Sequence, residues 1–237
     1  MDTKKLLIVT VIAIVGLNFL NYELKKDFER SVMEVIKKNP SLAKEPTAPP
    51  PAPPSEEEQL KQQLQDKISV DIGTAHVRGN KNAKIQLIVF SDFQCPFSKR
   101  GQDTVNALRQ KYNNDLSFIY KNLPLPFHPE AMPAAKAALA AGKQGKYYEY
   151  HDKLFENQDK LGEPLYVQIA KDLGLNLQKF NVDRASKELE DQIQADVAQA
   201  NSLGFNGTPG FALNGVKILG AYPQEHFEKV IKALGLG

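Results

Sequence analysis

Ile85-Gln86-Leu87-Ile88-Val89-Phe90 runs into Ser91-Asp92-Phe93-Gln94 and then into Cys95-Pro96-Phe97-Ser98. The first six residues are a short apolar run of strand composition bounded by polar residues, the pattern of a strand buried on both faces. Pro96 suits the first position of a helix, because its φ is already helical and its missing N–H has no intrahelical partner there. The helix it opens carries Val105, Leu108 and Tyr112 on one face, and Leu116-Ser117-Phe118-Ile119-Tyr120 reads as the next strand. Strand, helix, strand makes a βαβ unit with a cysteine at the helix N-terminus.

Further along, residues 129–203 read as helical. Ala131, Ala134, Ala135, Ala138 and Leu139 form a small-residue face that permits close packing, and Leu189, Ile193 and Val197 repeat at every fourth position. Strands return with Phe211-Ala212-Leu213 and Val216-Lys217-Ile218-Leu219, which flank Asn214-Gly215, a type I′ hairpin signal. Pro223 opens a last helix with Phe227, Val230, Ile231 and Leu234 inward, closed by Gly235. The order is βαβ, a helical block, a β-hairpin and a helix: an α/β thioredoxin fold with a helical insertion at about residues 129–203.

Upstream, Ser55 with Glu58 makes a capping box that starts a helix, with Leu60, Leu64 and Ile68 as its stripe. Asn80 to Asn82 mark a turn before the first buried strand. Residues 46–54 are a Pro-rich linker of polyproline type. Residues 22–45 read as an amphipathic helical stalk ended at Asn39-Pro40, with Phe28, Val32, Val35 and Ile36 on one face. An apolar stripe outside the domain needs cover, so homo-oligomerisation through residues 22–45 is expected ahead of a helix resting on the membrane surface.

Lys4-Lys5 precede an apolar run from Leu6 to Leu20, the signature of an export signal. Asn18-Phe19-Leu20-Asn21-Tyr22-Glu23 offers no small residues for a cleavage site. Residues 1–21 are therefore read as an inner-membrane signal anchor in preference to a cleaved signal peptide. The basic head stays cytoplasmic, and the domain at 55–237 faces the periplasm of a bacterial envelope; a cleaved signal leaves it free in the periplasm.

Composition narrows the function. The chain has 237 residues, 42% hydrophobic and 24% charged, ordinary for a globular protein of one domain plus appendages. A net charge of +2 without a basic stripe sets nucleic acid aside. His76, His128, His151 and His226 form no close ligand pair with one another or with the cysteine, so no metal and no other cofactor is expected. One cysteine excludes an intrachain disulfide.

Several motifs together resemble one family. Ser91-Asp92-Phe93-Gln94-Cys95-Pro96-Phe97 is similar to the active-site turn of the DsbA-like thioredoxin-fold proteins. Leu123-Pro124-Leu125-Pro126-Phe127-His128-Pro129 resembles the start of their helical domain, and Gly207-Thr208-Pro209-Gly210-Phe211 the loop that carries their cis-proline. The likeness covers roughly residues 68–237. More loosely, the stalk resembles the oligomerisation arms of some multimeric members. It implies thiol-disulfide chemistry at Cys95, with Pro96, Phe97, Thr208 and cis-Pro209 meeting the substrate strand, and the backbone of Thr208 pairing with that strand. The family's usual C-x-x-C motif is broken here, because Ser98 stands where a resolving cysteine is expected.

The chemistry follows from the residues. A thiol at a helix N-terminus faces unpaired N–H donors and the positive end of the helix dipole, which favour the thiolate, and the thiolate is the attacking species in disulfide exchange. Pro96 and the polar neighbours suggest an exposed helix start for Cys95. Ser98 supplies no second sulfur, but its hydroxyl can donate to the thiolate. The expectation is monothiol exchange or isomerisation on exported cysteine-containing proteins, with the second sulfur from the substrate or a thiol redox partner. The alternative is a non-catalytic peptide-binding or chaperone-like module. His128 is read as a structural residue ahead of one lining the site.

Overall fold

The computed structural model describes residues 22–39 and 55–237. The signal anchor read at 1–21, the end of the stalk at 40–45 and the linker at 46–54 lie outside the described residues.

Helix α1 spans Tyr22–Lys38. Asn39 ends it, donating its backbone N–H (3.0 Å) and its side-chain Nδ2 (3.2 Å) to the Val35 carbonyl. Phe28, Val32, Met33 and Val35 are exposed along it. Among the described residues, no helix is long and apolar enough to cross a membrane.

Residues 55–237 begin with α2 (Glu56–Gln65), started by the expected capping box: the Glu58 N–H donates to Ser55 Oγ at 3.3 Å and the Ser55 N–H to Glu58 Oε2 at 2.8 Å. The helix stops before Ile68, which was expected to extend its stripe. Ile68 instead donates its N–H to the Gly215 carbonyl at 2.8 Å and packs against the core from an extended segment.

The sheet contains β1 (Val77–Arg78), β2 (Ile85–Ser91), β3 (Leu116–Asn122), β4 (Gly210–Leu213) and β5 (Val216–Leu219) in the spatial order β1-β3-β2-β4-β5. β2 and β3 are parallel, in register from Ile85↔Leu116 to Ser91↔Asn122, and joined by α3 (Pro96–Tyr112). The other pairs are antiparallel. Two-residue β1 was not anticipated, because so short a strand has no periodicity of its own and exists only through its pairing with β3. Leu87, Val89, Phe118 and Tyr120 enter one core cluster while Ile88, Phe90 and Ile119 enter a second. That alternation is why β2 is apolar at consecutive positions.

Between β3 and β4 come α4 (Ala131–Gly142), α5 (Tyr147–Glu156), a single 3₁₀ turn (Gln158–Lys160), α6 (Glu163–Asp172), α7 (Leu177–Arg184) and α8 (Lys187–Ser202). This is the expected helical insertion. The α4 face proves wider than the sequence pattern suggested, with Ala137, Ala140 and Ala141 buried as well. Helix α8 is tied to the sheet by a buried ion pair, Lys121 Nζ to Asp196 Oδ1 at 3.0 Å. Lys121 also donates to the Asp71 carbonyl at 2.9 Å, and Asp196 Oδ2 accepts the Asn122 N–H at 2.9 Å, so both charges keep polar partners in place of water.

The β4–β5 turn has φ of 45° at Asn214 and 85° at Gly215, the two positive values that a type I′ turn requires. Helix α9 (Gln224–Ala233) closes the chain with Phe227, Val230 and Ile231 buried.

Candidate functional site

The carboxyl end of β2 turns sharply into α3, and Cys95 is the residue on the corner. Its N–H donates to the Asp92 carbonyl at 3.2 Å, and its own carbonyl accepts from Lys99 at 3.2 Å, the first bond of α3. Pro96 follows at the first helical position.

The turn is held from three directions. From below, the buried Phe93 ring stacks on Tyr120 (4.8 Å between centroids) and packs against Phe155 (5.1 Å) and His151 (5.5 Å). From the helical insertion, Gln158 Nε2 donates to the carbonyls of Phe93 (2.7 Å) and Cys95 (3.0 Å). From the segment after β3, Glu130 donates its N–H to Gln94 Oε1 at 2.7 Å. Asp92 links all of this. Its fully buried carboxylate accepts the N–H groups of Gln94 (2.7 Å) and Leu125 (2.9 Å) and meets His128 Nδ1 at 2.7 Å.

The cysteine is not the exposed residue that the sequence suggested. It is 3% exposed, and its thiol donates to the Thr208 carbonyl at 3.5 Å. Chain-distant Thr208 covers the sulfur, which no local pattern around Pro96 reveals. The Thr208–Pro209 bond is cis. The Thr208 carbonyl thus lies against the thiol itself. Pro209 is buried against α3 at Gly101, where an added Cβ would fall 2.9 Å from Pro209 Cγ and 3.1 Å from Phe211 Cζ.

Ser98 is also buried, and its Oγ accepts the Asp92 N–H at 3.4 Å. It buttresses the turn; the expected hydrogen bond from Ser98 to the Cys95 sulfur is not formed. Pro96 and Phe97 are exposed, and the Arg100 guanidinium lies 4.7 Å over the Phe97 ring. Phe127, beside His128, is exposed too. The structure therefore brings Cys95, Ser98, Thr208 and Pro209 together and leaves Pro96 and Phe97 on the surface next to them. Sequence reasoning missed Gly101, Gln158 and the Asp92–His128 contact. A glycine inside an otherwise regular helix was the one available signal, for Gly101.

Electrostatics around the turn are dominated by burial. Burial, reinforced by the neighbouring Asp92 carboxylate, pushes the Tyr120 phenol well above its ordinary value. Burial likewise holds the His151 imidazole below its ordinary value, against the opposing hydrogen bond with Asp152. For Asp152, burial acts upward, but hydrogen bonds from His151 and Arg78 overcome it and bring the carboxyl to about 2. Among the described residues, no group of three or more His, Cys, Asp or Glu side chains is placed to hold a metal ion.

A thioredoxin family model matches residues 71–233. Among solved structures, a thioredoxin-like oxidoreductase from Silicibacter pomeroyi DSS-3 is similar at 29% identity and a TM-score of 0.63, over 69% of this chain and 93% of that one. The thiol-disulfide exchange protein alpha-DsbA2 from Wolbachia pipientis shares the fold at 22% identity and a TM-score of 0.62, over 74% of this chain and 92% of that one. BdbD from Bacillus subtilis does so at 22% and 0.62, over 72% and 99%. A curated relative, the Na(+)/H(+) antiporter NhaA 3 of Salinispora tropica, is 34% identical over 156 residues, covering 65% of this chain and 24% of that protein. The chain spans about a quarter of the length of the curated relatives it matches.

Proposed function

Because the chain belongs to the thioredoxin family, we propose that it is a DsbA-like thiol-disulfide oxidoreductase of the bacterial envelope that works through Cys95 as a monothiol. The observation that carries this reading is the placement of the chain's single cysteine at the head of α3, 3.5 Å from the carbonyl that precedes cis-Pro209.

Thiolate formed at the helix head attacks a substrate disulfide and makes a mixed disulfide at Cys95. Ser98 has no sulfur with which to resolve it. The resolving thiol comes from the substrate, giving isomerisation, or from a thiol redox partner. Exported cysteine-containing proteins are the substrates this chemistry fits. The apolar run from Leu6 to Leu20 behind Lys4-Lys5 supports an anchor at the inner membrane, with the domain on the periplasmic side. The exposed Phe28, Val32 and Val35 support self-association through residues 22–45.

The test is to incubate the protein with an exported protein carrying a non-native disulfide, quench with acid and identify adducts by mass spectrometry. A mixed disulfide at Cys95, absent from Cys95→Ser, is the expected result. Absence of any adduct, with Cys95→Ser complementing fully in the host, favours a second reading: a peptide-binding module without catalysis. Burial of Cys95 is the observation on the side of that second reading.

A further inference from the structure

At a monothiol site, as at a dithiol one, the resolving step needs a thiolate. The resolving thiol arrives from outside, and an ordinary thiol with a pKa of ~8.5 is mostly protonated near neutral pH, although only the thiolate attacks. A positioned base would remove that handicap. An imidazole rests on the buried Asp92 carboxylate of the Cys95 turn.

Asp92 and His128 are 36 residues apart in sequence, and Asp92 lies in the turn that ends at Cys95. The Asp92 carboxylate already accepts two backbone N–H groups, from Gln94 and Leu125. It is an acceptor toward the imidazole as well, so Nδ1 carries the proton and donates at 2.7 Å. That tautomer leaves a lone pair on Nε2, on the far side of the ring from Asp92. The carboxylate is completely buried, while the imidazole is 17% exposed beside the exposed Phe127. A buried acid that orients a partly exposed imidazole is the arrangement by which hydrolases fix a general base.

We infer that His128, oriented by Asp92, is the acid–base group for disulfide exchange at Cys95. This role rests on the thiol-exchange reading above. In the first step the Cys95 thiolate attacks one sulfur of a substrate disulfide. The Cys95–substrate bond forms, the substrate S–S bond breaks, and the leaving thiolate takes a proton from the His128 imidazolium. In the second step an incoming thiol gives its proton to Nε2 of neutral His128 and attacks the substrate sulfur of the mixed disulfide, which releases Cys95 as the thiolate. One disulfide and one thiol enter, one disulfide and one thiol leave, and no outside oxidant is consumed. Asp92 is a positioning residue in this scheme.

Asp92 is the titratable group in contact with the imidazole. Cys95 shares the turn with Asp92, and Tyr120 of β3 stacks on Phe93 of that turn. Glu130 follows His128 on the same loop, with its carboxylate taking the Tyr166 hydroxyl of α6 at 2.8 Å. The experiment therefore compares two proteins that differ only at His128. His128→Asn keeps a side-chain N–H for Asp92 and removes the base.

Both proteins are incubated with the disulfide-linked dimer of a cysteine peptide to form the Cys95–peptide mixed disulfide. Return of free Cys95 on adding the same peptide as thiol is then followed by acid quench and mass spectrometry across pH. General acid–base catalysis contributes about 10²–10⁴-fold, so resolution in His128→Asn should be at least about tenfold slower near neutral pH. The gap should close at a pH well above ~8.5, where the attacking thiol is already ionised. Equal rates at all pH values, or a slowing that is the same at all pH values, overturns the role of His128 and leaves thiol exchange standing. Failure to form the mixed disulfide in the unaltered protein overturns both.

Discussion

The Cys95 sulfur sits 3.5 Å from the carbonyl oxygen of Thr208, 113 residues along the chain. One loop thus covers the sulfur, and the cis-proline next to it is wedged against Gly101 of α3. The contact joins the two halves of the fold that the helical insertion separates.

Gly101→Ala tests that contact. By helix propensity alone the change should stabilise by about 0.8–1.0 kcal/mol. The added Cβ, however, would lie 2.9 Å from Pro209 Cγ, on a ring that cannot swing aside. Overpacking typically costs about 1–3 kcal/mol, so the net effect expected in urea unfolding is destabilisation. A more stable variant would show that the loop moves without cost.

Gln158→Ala frees the carbonyls of Phe93 and Cys95 from their shared donor. The loss should loosen the Cys95 turn, at about 1–3 kcal/mol of stability for the unsatisfied Phe93 carbonyl, while the Cys95 carbonyl keeps the Lys99 N–H. Cys95 should also become more reactive to a neutral alkylating reagent at fixed pH. Unchanged alkylation with lowered stability would place the effect in the fold alone.

Ser98→Cys places a thiol three residues from Cys95, within the turn where Ser98 now accepts the Asp92 N–H. The expected result is an intramolecular disulfide on treatment with oxidised glutathione, read as loss of both free thiols. Two thiols that stay free would mean that the burial of position 98 aims its side chain away from Cys95.

Asp196→Ala leaves the Lys121 ammonium buried without its counter-charge. Breaking a buried pair in this way costs about 3–5 kcal/mol. Asp196→Ala combined with Lys121→Met should recover much of that loss in chemical denaturation. A double variant no better than the single one would locate the cost in the freed Asn122 N–H instead.

Stability should also fall in acid in two stages. His151 is buried with its imidazole held below the ordinary value, mainly by burial, and the partly buried His76 is shifted the same way by the same cause. Below about pH 6.5 the unfolded chain takes up protons that the fold refuses, so stability declines as pH drops through that point. Asp152 works at lower pH. Burial opposes its ionisation, but His151 and Arg78 hold it at about 2 against an ordinary 3.8. Its contribution is complete above 3.8 and disappears as pH falls toward 2. Denaturation midpoints measured from about pH 8 downward check both stages; a midpoint that is flat through about pH 6 removes the His151 part.

Much of the architecture was legible in the linear chain, because the signals involved are local. The β2 run, the helix opened by Pro96, the Ser55–Glu58 box and the Asn214-Gly215 turn each depend on residues within a few positions of one another. So does the place of Cys95 at a helix head, and so does the lack of a second sulfur at position 98. The sequence alone therefore determined the fold class and the limit on dithiol chemistry.

What it could not determine was the environment of the sulfur. Cover by Thr208, bracing by Gln158 and the pairing of Asp92 with His128 bridge 113, 63 and 36 residues. Hydrogen bonds of that reach leave no periodic trace, since the partners sit in turns and element ends where no repeating pattern marks them. Only packing of the insertion and of the β4 loop against the β2–α3 turn brings them together. That packing buries Cys95 and sets an imidazole on a buried carboxylate beside it.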